Sequence, residues 1–185
     1  MKKRELLLLS LMILLLLPGC AGERDKTLFE NWQRRAQSAA ETSFSARITA
    51  TWDDGAVTYA ADVVRRGEET SVTVTAPETI AGFTFRTGGQ GTTMEYDGLL
   101  LSLAGGREDV LSPCAAPEIF LDALRDGSLL TTGQADEYMT AAIIAPGGET
   151  VTVWRTAEDV PVCAEISRDG STALVLQLTD WQIKE

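Results

Sequence analysis

The sequence predicts a mainly β chain of the α+β kind: an antiparallel sheet with about two helices. Three observations carry this. Most of the chain alternates apolar and polar residues with a period of two. Only two stretches place apolar residues at helical spacing. Neither alternates with strands, so the crossover helices that a parallel sheet needs are missing.

The first helix is expected at residues 27–40. Leu28, Trp32, Ala36 and Ala39 form its apolar stripe, Glu30, Gln33, Arg34 and Gln37 point elsewhere, and Thr27 with Glu30 is a capping-box signal. From Ser43 the period becomes two. Phe44, Ala46, Ile48, Ala50 and Trp52 alternate with polar residues, and after the Asp54-Gly55 turn signal Val57, Tyr59, Ala61 and Val63 carry the next inward row. Val72 and Val74 belong to a third strand ended by Pro77, and three shorter strands follow, with Phe83 or Phe85 inward and turns at Gly88-Gly89 and Asp97-Gly98. "APEIFLDALRDG" is the second helix. Pro117 lies in its first turn, Ile119, Phe120, Ala123 and Leu124 form its stripe, and Gly127 caps it. Four strands are expected after it, the last with Leu174, Leu176 and Leu178 inward and with Asp169-Gly170 as a third Asp-Gly turn.

The N-terminus has a different character. Lys2, Lys3 and Arg4 precede an apolar run at residues 6–17, shorter than the roughly 20 residues that span a bilayer and suited to a signal peptide. Leu17-Pro18-Gly19-Cys20 resembles the lipobox of bacterial lipoproteins, with Pro18 departing from the usual small residue. The resemblance implies that Cys20 carries a diacylglycerol after cleavage, and two acyl chains suffice for stable anchoring. An ordinary secretory peptide and an uncleaved anchor helix are the alternatives; all three place the domain outside the cytoplasm. The expected division is a signal at residues 1–19, a lipidated end and tether at 20–27, and one domain at 28–185. The expected location is extracytoplasmic, lipid-anchored to the cell membrane, or to the outer membrane if the host has one.

Of 185 residues, 16 are Lys or Arg and 27 Asp or Glu, and removing residues 1–19 leaves a net charge of −13. Such acidity argues against nucleic-acid partners, which bind through neutralised phosphates. There is no histidine, which removes the Ser-His-Asp triad in its usual form, His-ligated zinc and imidazole acid–base chemistry. "TGGQG" lacks the lysine and helix of a phosphate cradle and reads as a turn. Asp53-Asp54, Glu68-Glu69 and Glu108-Asp109 lack the spacing of a calcium loop. No catalytic residue, metal or cofactor is expected. Cys114 and Cys163 are either a disulfide or two thiols packed as small hydrophobes.

Phe44, Ala46, Pro77 and Tyr96-Asp97-Gly98, in this order of elements, resemble the LolA/LolB-like lipoprotein-carrier superfamily. The resemblance implies a strongly curved, unclosed half-barrel whose concave face is covered by helices and binds acyl chains. It also implies an arginine on an early strand that ties the barrel to its helices. Arg65 shares the face of Tyr59 and Val63 and is the better inward candidate of the pair, but the exposure normal for arginine favours two solvated arginines, Arg65 and Arg66, beside Glu68 and Glu69. The cavity candidates are then Phe44, Ile48, Trp52, Tyr59, Val63, Val72, Val74, Phe83, Phe85, Ile119, Phe120 and Leu124. The expected partners are a lipid or an acylated protein, together with the membrane through Cys20. A packed structural or sensory domain that binds a protein partner is the competing reading.

Overall fold

The computed structural model describes residues 21–52, 55–89, 91–103 and 113–185. The export signal, Cys20, Asp53-Asp54 and Glu108-Asp109 lie outside the described residues, and so does the side chain of Trp52. Helix α1 (Ala21–Ser38) leads into β1 (Glu41–Trp52), β2 (Gly55–Arg66), β3 (Glu69–Ala76), β4 (Thr84–Gly88), β5 (Gly91–Tyr96) and β6 (Leu99–Leu103). A 3-10 turn (Pro113–Ala115) and α2 (Ala116–Asp126) follow. The chain ends with β7 (Ser128–Ala135), β8 (Tyr138–Ile144), β9 (Thr150–Arg155), β10 (Pro161–Arg168) and β11 (Ser171–Lys184).

The strands make one antiparallel sheet in the order β6-β5-β4-β3-β2-β1-β11-β10-β9-β8-β7. It is two meanders joined where the first and last strands pair, Ala46 opposite Leu178 and Ile48 opposite Leu176. The outer strands β6 and β7 do not pair with each other, so the barrel stays open. Curvature shows in α2, which touches β3 on one wing and β8, β10 and β11 on the other. The hairpins follow their turn chemistry. Asp97 and Gly98 have φ of 49° and 77°, Asp169 and Gly170 53° and 80°, the paired left-handed conformations that a two-residue hairpin loop with right-handed strand twist requires.

Two elements differ from the sequence expectation. Helix α1 begins at Ala21, so the expected tether is helical and Thr27 lies within the helix instead of capping it. Among the described side chains of α1 the buried ones are Phe29 and Trp32, with Leu28 only half-buried. On β2 the expected inward row is corrected at Val57, which is 52% exposed because it lies beyond the packed layer that covers Tyr59, Ala61 and Val63. Among the described residues there are also eleven strands, one more than expected, and the additional strand is β7. Its "SLLTTGQA" has no apolar alternation, since an edge strand with a largely exposed face needs none.

The core lies between the two helices and the inner face of the sheet. Phe44, Ile48, Val63, Phe120, Leu124, Ile143, Val151, Val153, Ile166, Leu174 and Leu176 are all buried there. Phe120 meets Phe44 edge-on with ring centroids 5.8 Å apart, and Trp181 closes the group at 5.3 Å from Phe44. Gly127 ends α2 with its N–H donating to the Ala123 carbonyl at 3.1 Å. Its φ of −73° is ordinary. Glycine is needed for room, because a Cβ there would collide with the Ala123 carbonyl and the Ile143 side chain.

Candidate functional site

The concave face has a closed part and an open part. The closed part lies under the helices and is held by polar ties that reach across layers. Arg65 projects inward from β2, and its Nη1 donates to Asp122 Oδ1 on α2 at 2.6 Å, with both side chains largely buried. Arg65 Nε and Arg125 Nη1 both donate to the Gly67 carbonyl, at 3.1 and 3.3 Å. From α1, Gln33 and Gln37 donate to the Gly127 and Arg125 carbonyls at 2.9 and 2.8 Å. These are the carbonyls that a helix C-terminus leaves without intrahelical partners. The second helix is thus capped by side chains of the first.

A second inward arginine, Arg155 of β9, is 3% exposed. It pairs with Asp159 and lies 5.7 Å from the centroid of the Trp32 ring on α1, a favourable place for a cation. Each helix therefore rests on one inward arginine. Arg155 follows Val151 and Val153 on the same face, so parity contained the signal; the general rarity of buried arginine argued against using it.

The open part lies on the other wing. Tyr59 of β2, Val74 of β3, Ile80 and Phe83 of the β3–β4 connection, Phe85 of β4, Met94 of β5 and Cys114 of the 3-10 turn surround an empty space of about 190 Å³. An engineered cavity of about 150 Å³ suffices to take up benzene. Register extends this face outward. Val72, Phe85, Met94 and Leu101 oppose one another across β3, β4, β5 and β6 and so share the inner face. Leu99 and Leu101 on the same face of β6 are 70% and 54% exposed. Tyr96 stacks on the lining residue Phe83 with ring centroids 4.2 Å apart.

Burial pushes the Tyr59 phenol far above its usual range, and the adjacent Cys114 adds to the shift. The ring therefore stays protonated and is a hydrogen-bond donor throughout the neutral range.

The expected cavity residues divide between the two parts. Tyr59, Val74, Phe83 and Phe85 line the open space. Phe44, Ile48, Val63, Val72, Ile119 and Phe120 are buried in the packed core, as is Leu124, which also borders a crevice of about 70 Å³ between the helices and Trp181. Ile80, Met94 and Cys114 complete the lining, and no periodic signal in the sequence marks them for it. Trp181 faces inward because of a bulge. Ser43 to Ser45 oppose Gln182 to Thr179, and the extra residue Asp180 adopts φ of 54°. A bulge of this kind re-aims the side chains beyond it, so Leu174, Leu176 and Leu178 and then Trp181 and Ile183 all face the core side.

The disulfide alternative is corrected. No bond joins Cys114 and Cys163. Cys114 borders the concave cavity, whereas Cys163 alternates with the buried Ala164 and opposes the exposed Gln177, which puts it on the convex face. A disulfide spans only about 4–7 Å between Cα atoms, and the sheet separates the pair. Burial, and then Glu165, push the Cys163 thiol up, which lowers its reactivity.

No family model and no curated protein matches the chain. Among solved structures it is similar to a LolA superfamily protein from Nitrosomonas europaea, with 13% identity over 86% of this chain and 93% of that one, and a TM-score of 0.47. It is also similar to the lipoprotein LppX of Mycobacterium tuberculosis, with 18% identity over 85% and 96%, at 0.41. A chain from the complex of the CwlD amidase with the GerS lipoprotein of Clostridioides difficile matches with 11% identity over 85% and 94%, also at 0.41.

Proposed function

We propose that this chain is a membrane-anchored extracytoplasmic lipoprotein whose half-barrel holds an apolar ligand, a lipid or the acyl chains of another lipoprotein. One observation carries the proposal: the walled apolar space at Tyr59, Val74, Ile80, Phe83, Phe85, Met94 and Cys114, continuous with the bare leucines of β6. Protein interiors are packed with few voids larger than a water molecule. An apolar hollow that opens onto an apolar strand is therefore where a ligand is expected. A protein fixed to a membrane through Cys20 does not shuttle freely, which favours an acceptor or local binder over a soluble carrier.

Protein extracted from membranes should carry lipid detectable by native mass spectrometry, and delipidated protein should take up a fluorescent fatty acid. Val74→Phe directs a ring into the hollow and should reduce uptake at least about tenfold with little loss of fold. Absence of co-purified lipid together with absence of uptake would overturn the proposal. For the anchor, Cys20→Ala should release the protein from membranes or leave an uncleaved precursor. Unchanged membrane retention of a processed Cys20→Ala chain would remove the lipobox reading.

A structural or sensory role has its own supporting observation. Strand β6, "LLLSL", presents leucine on both faces, and its outer edge has no partner among the described residues. It carries none of the charges, prolines or bulges that usually protect an edge, which suits strand addition by a protein partner. Such a partner would remain bound to delipidated protein and be lost on Leu100→Lys, a change on the face away from the cavity.

A further inference from the structure

Among the described residues the hollow is apolar at every wall but one point. Tyr59 is 6% exposed and reaches the cavity from the inner face of β2. Its hydroxyl is fully buried, and among the described residues its one neighbour able to accept is the Cys114 thiol, at a geometry short of an ordinary hydrogen bond. The Cys114 sulfur lies beside it, and a thiol sulfur is a weak acceptor. A buried donor left with so weak an acceptor recovers little of its desolvation cost. Phenylalanine would fill the same volume and stack the same way without that cost. The surrounding walls, Val74, Ile80, Phe83, Phe85 and Met94, offer no side-chain acceptor stronger than the Met94 thioether.

We infer that the Tyr59 hydroxyl donates a hydrogen bond to a carbonyl oxygen of the bound ligand, which makes that ligand an acyl ester and not a plain hydrocarbon. The inference rests on the ligand-binding proposal above and specifies its chemistry. The alkyl part lies along Phe85, Met94 and Leu101, and the ester carbonyl enters to Tyr59. Tyrosine is suited to this task because a neutral donor selects a neutral carbonyl without the desolvation cost of a buried charge. Its protonation also makes the selection independent of pH through the neutral range.

The test compares two probes of equal chain length, methyl decanoate and dodecane, each displacing a neutral apolar dye from delipidated wild-type protein and from Tyr59→Phe. The variant should bind dodecane as the wild type does and bind methyl decanoate about fivefold more weakly, the size of one net hydrogen bond. The ratio should be the same at pH 6 and pH 8. Equal effects on both probes, or no effect on either, would overturn the inference while leaving apolar binding intact. Failure of both probes to bind wild type would overturn the ligand-binding proposal itself. A diacylglycerol and a diacylated lipopeptide, run alongside, separate the two sources of such an ester. Whichever binds should lose affinity in Tyr59→Phe, and full retention by the variant would count against the inference. The variant should also keep or raise the wild-type unfolding midpoint, because it removes a buried hydroxyl that only a thiol sulfur satisfies; a clear fall would show a strong structural hydrogen bond and overturn the assignment.

Discussion

The two wings of this sheet carry apolar residues on one shared inner face and end in opposite states. On the wing of β8, β9, β10 and β11, the inward residues Ile143, Val151, Val153, Ala164, Ile166, Leu174 and Leu176 are sealed from solvent beneath α1 and α2. On the wing of β4, β5 and β6, Phe83, Phe85 and Met94 are only half-buried, and Leu99, Leu101 and Leu103 are exposed. The difference is coverage. Two helices of 18 and 11 residues cannot roof an eleven-stranded sheet, and α2 packs on β3, β8, β10 and β11. The comparison teaches that an inward apolar residue is a core residue only where another layer reaches it.

The largest effect that separates the wings should come from paired truncations. Phe120→Ala removes a fully buried ring that touches Phe44 and Trp181 and should cost about 3–5 kcal/mol. Phe85→Ala, at a wall open to solvent, should cost less than about 2 kcal/mol. Equal shifts in urea midpoint would show that the wings are packed alike. Next comes the tie between sheet and helix. Arg65→Met leaves the Asp122 carboxylate largely buried without its 2.6 Å partner and should cost about 3 kcal/mol. Asp122→Asn in the Arg65→Met background should restore part of that, and a double-mutant cycle measures the coupling.

Smaller effects sharpen the boundary. Ala46→Leu and Ala61→Leu add volume where both alanines are buried among packed neighbours, so each should cost about 1–3 kcal/mol. Leu101→Ser on the open wing should change stability by less than about 0.5 kcal/mol yet reduce uptake of an apolar dye. The last prediction concerns acid. Glu41 holds Lys184 and Arg66 and so joins β1 to β11 and β2; hydrogen bonds from Lys184, then from Arg66, lower its pKa below the ordinary 4.5. A depressed carboxyl stabilises the fold above its unfolded pKa, and that contribution fades as pH falls through the folded value. Glu41→Gln should therefore flatten the loss of stability below about pH 4.5 and leave the slope above it unchanged, as pH-dependent melting would show.

The sequence by itself determined the local and periodic features. Alternation assigned the faces of β1, β2 and β3, paired Asp-Gly residues formed the hairpins at Asp97 and Asp169, and Pro117 and Gly127 bounded α2. These depend on backbone sterics and on a period that neighbouring residues already contain. Parity made Arg65 the better inward candidate on β2, but the exposure usual for arginine favoured a solvated pair, and its largely buried bond to Asp122 corrects that expectation for Arg65. What tertiary structure decided is everything that depends on a second layer. The N-terminal extent of α1, the unpatterned edge strand β7 and the inward turn of Trp181 after the Asp180 bulge leave weak or contrary signals in the chain. So does the division of one inward row into core and cavity. Tyr59 and Val63 share the inner face of the same strand, yet Val63 is core and Tyr59 borders empty space. Burial is a property of what packs opposite a side chain, and the helices that pack opposite this sheet come from distant parts of the sequence.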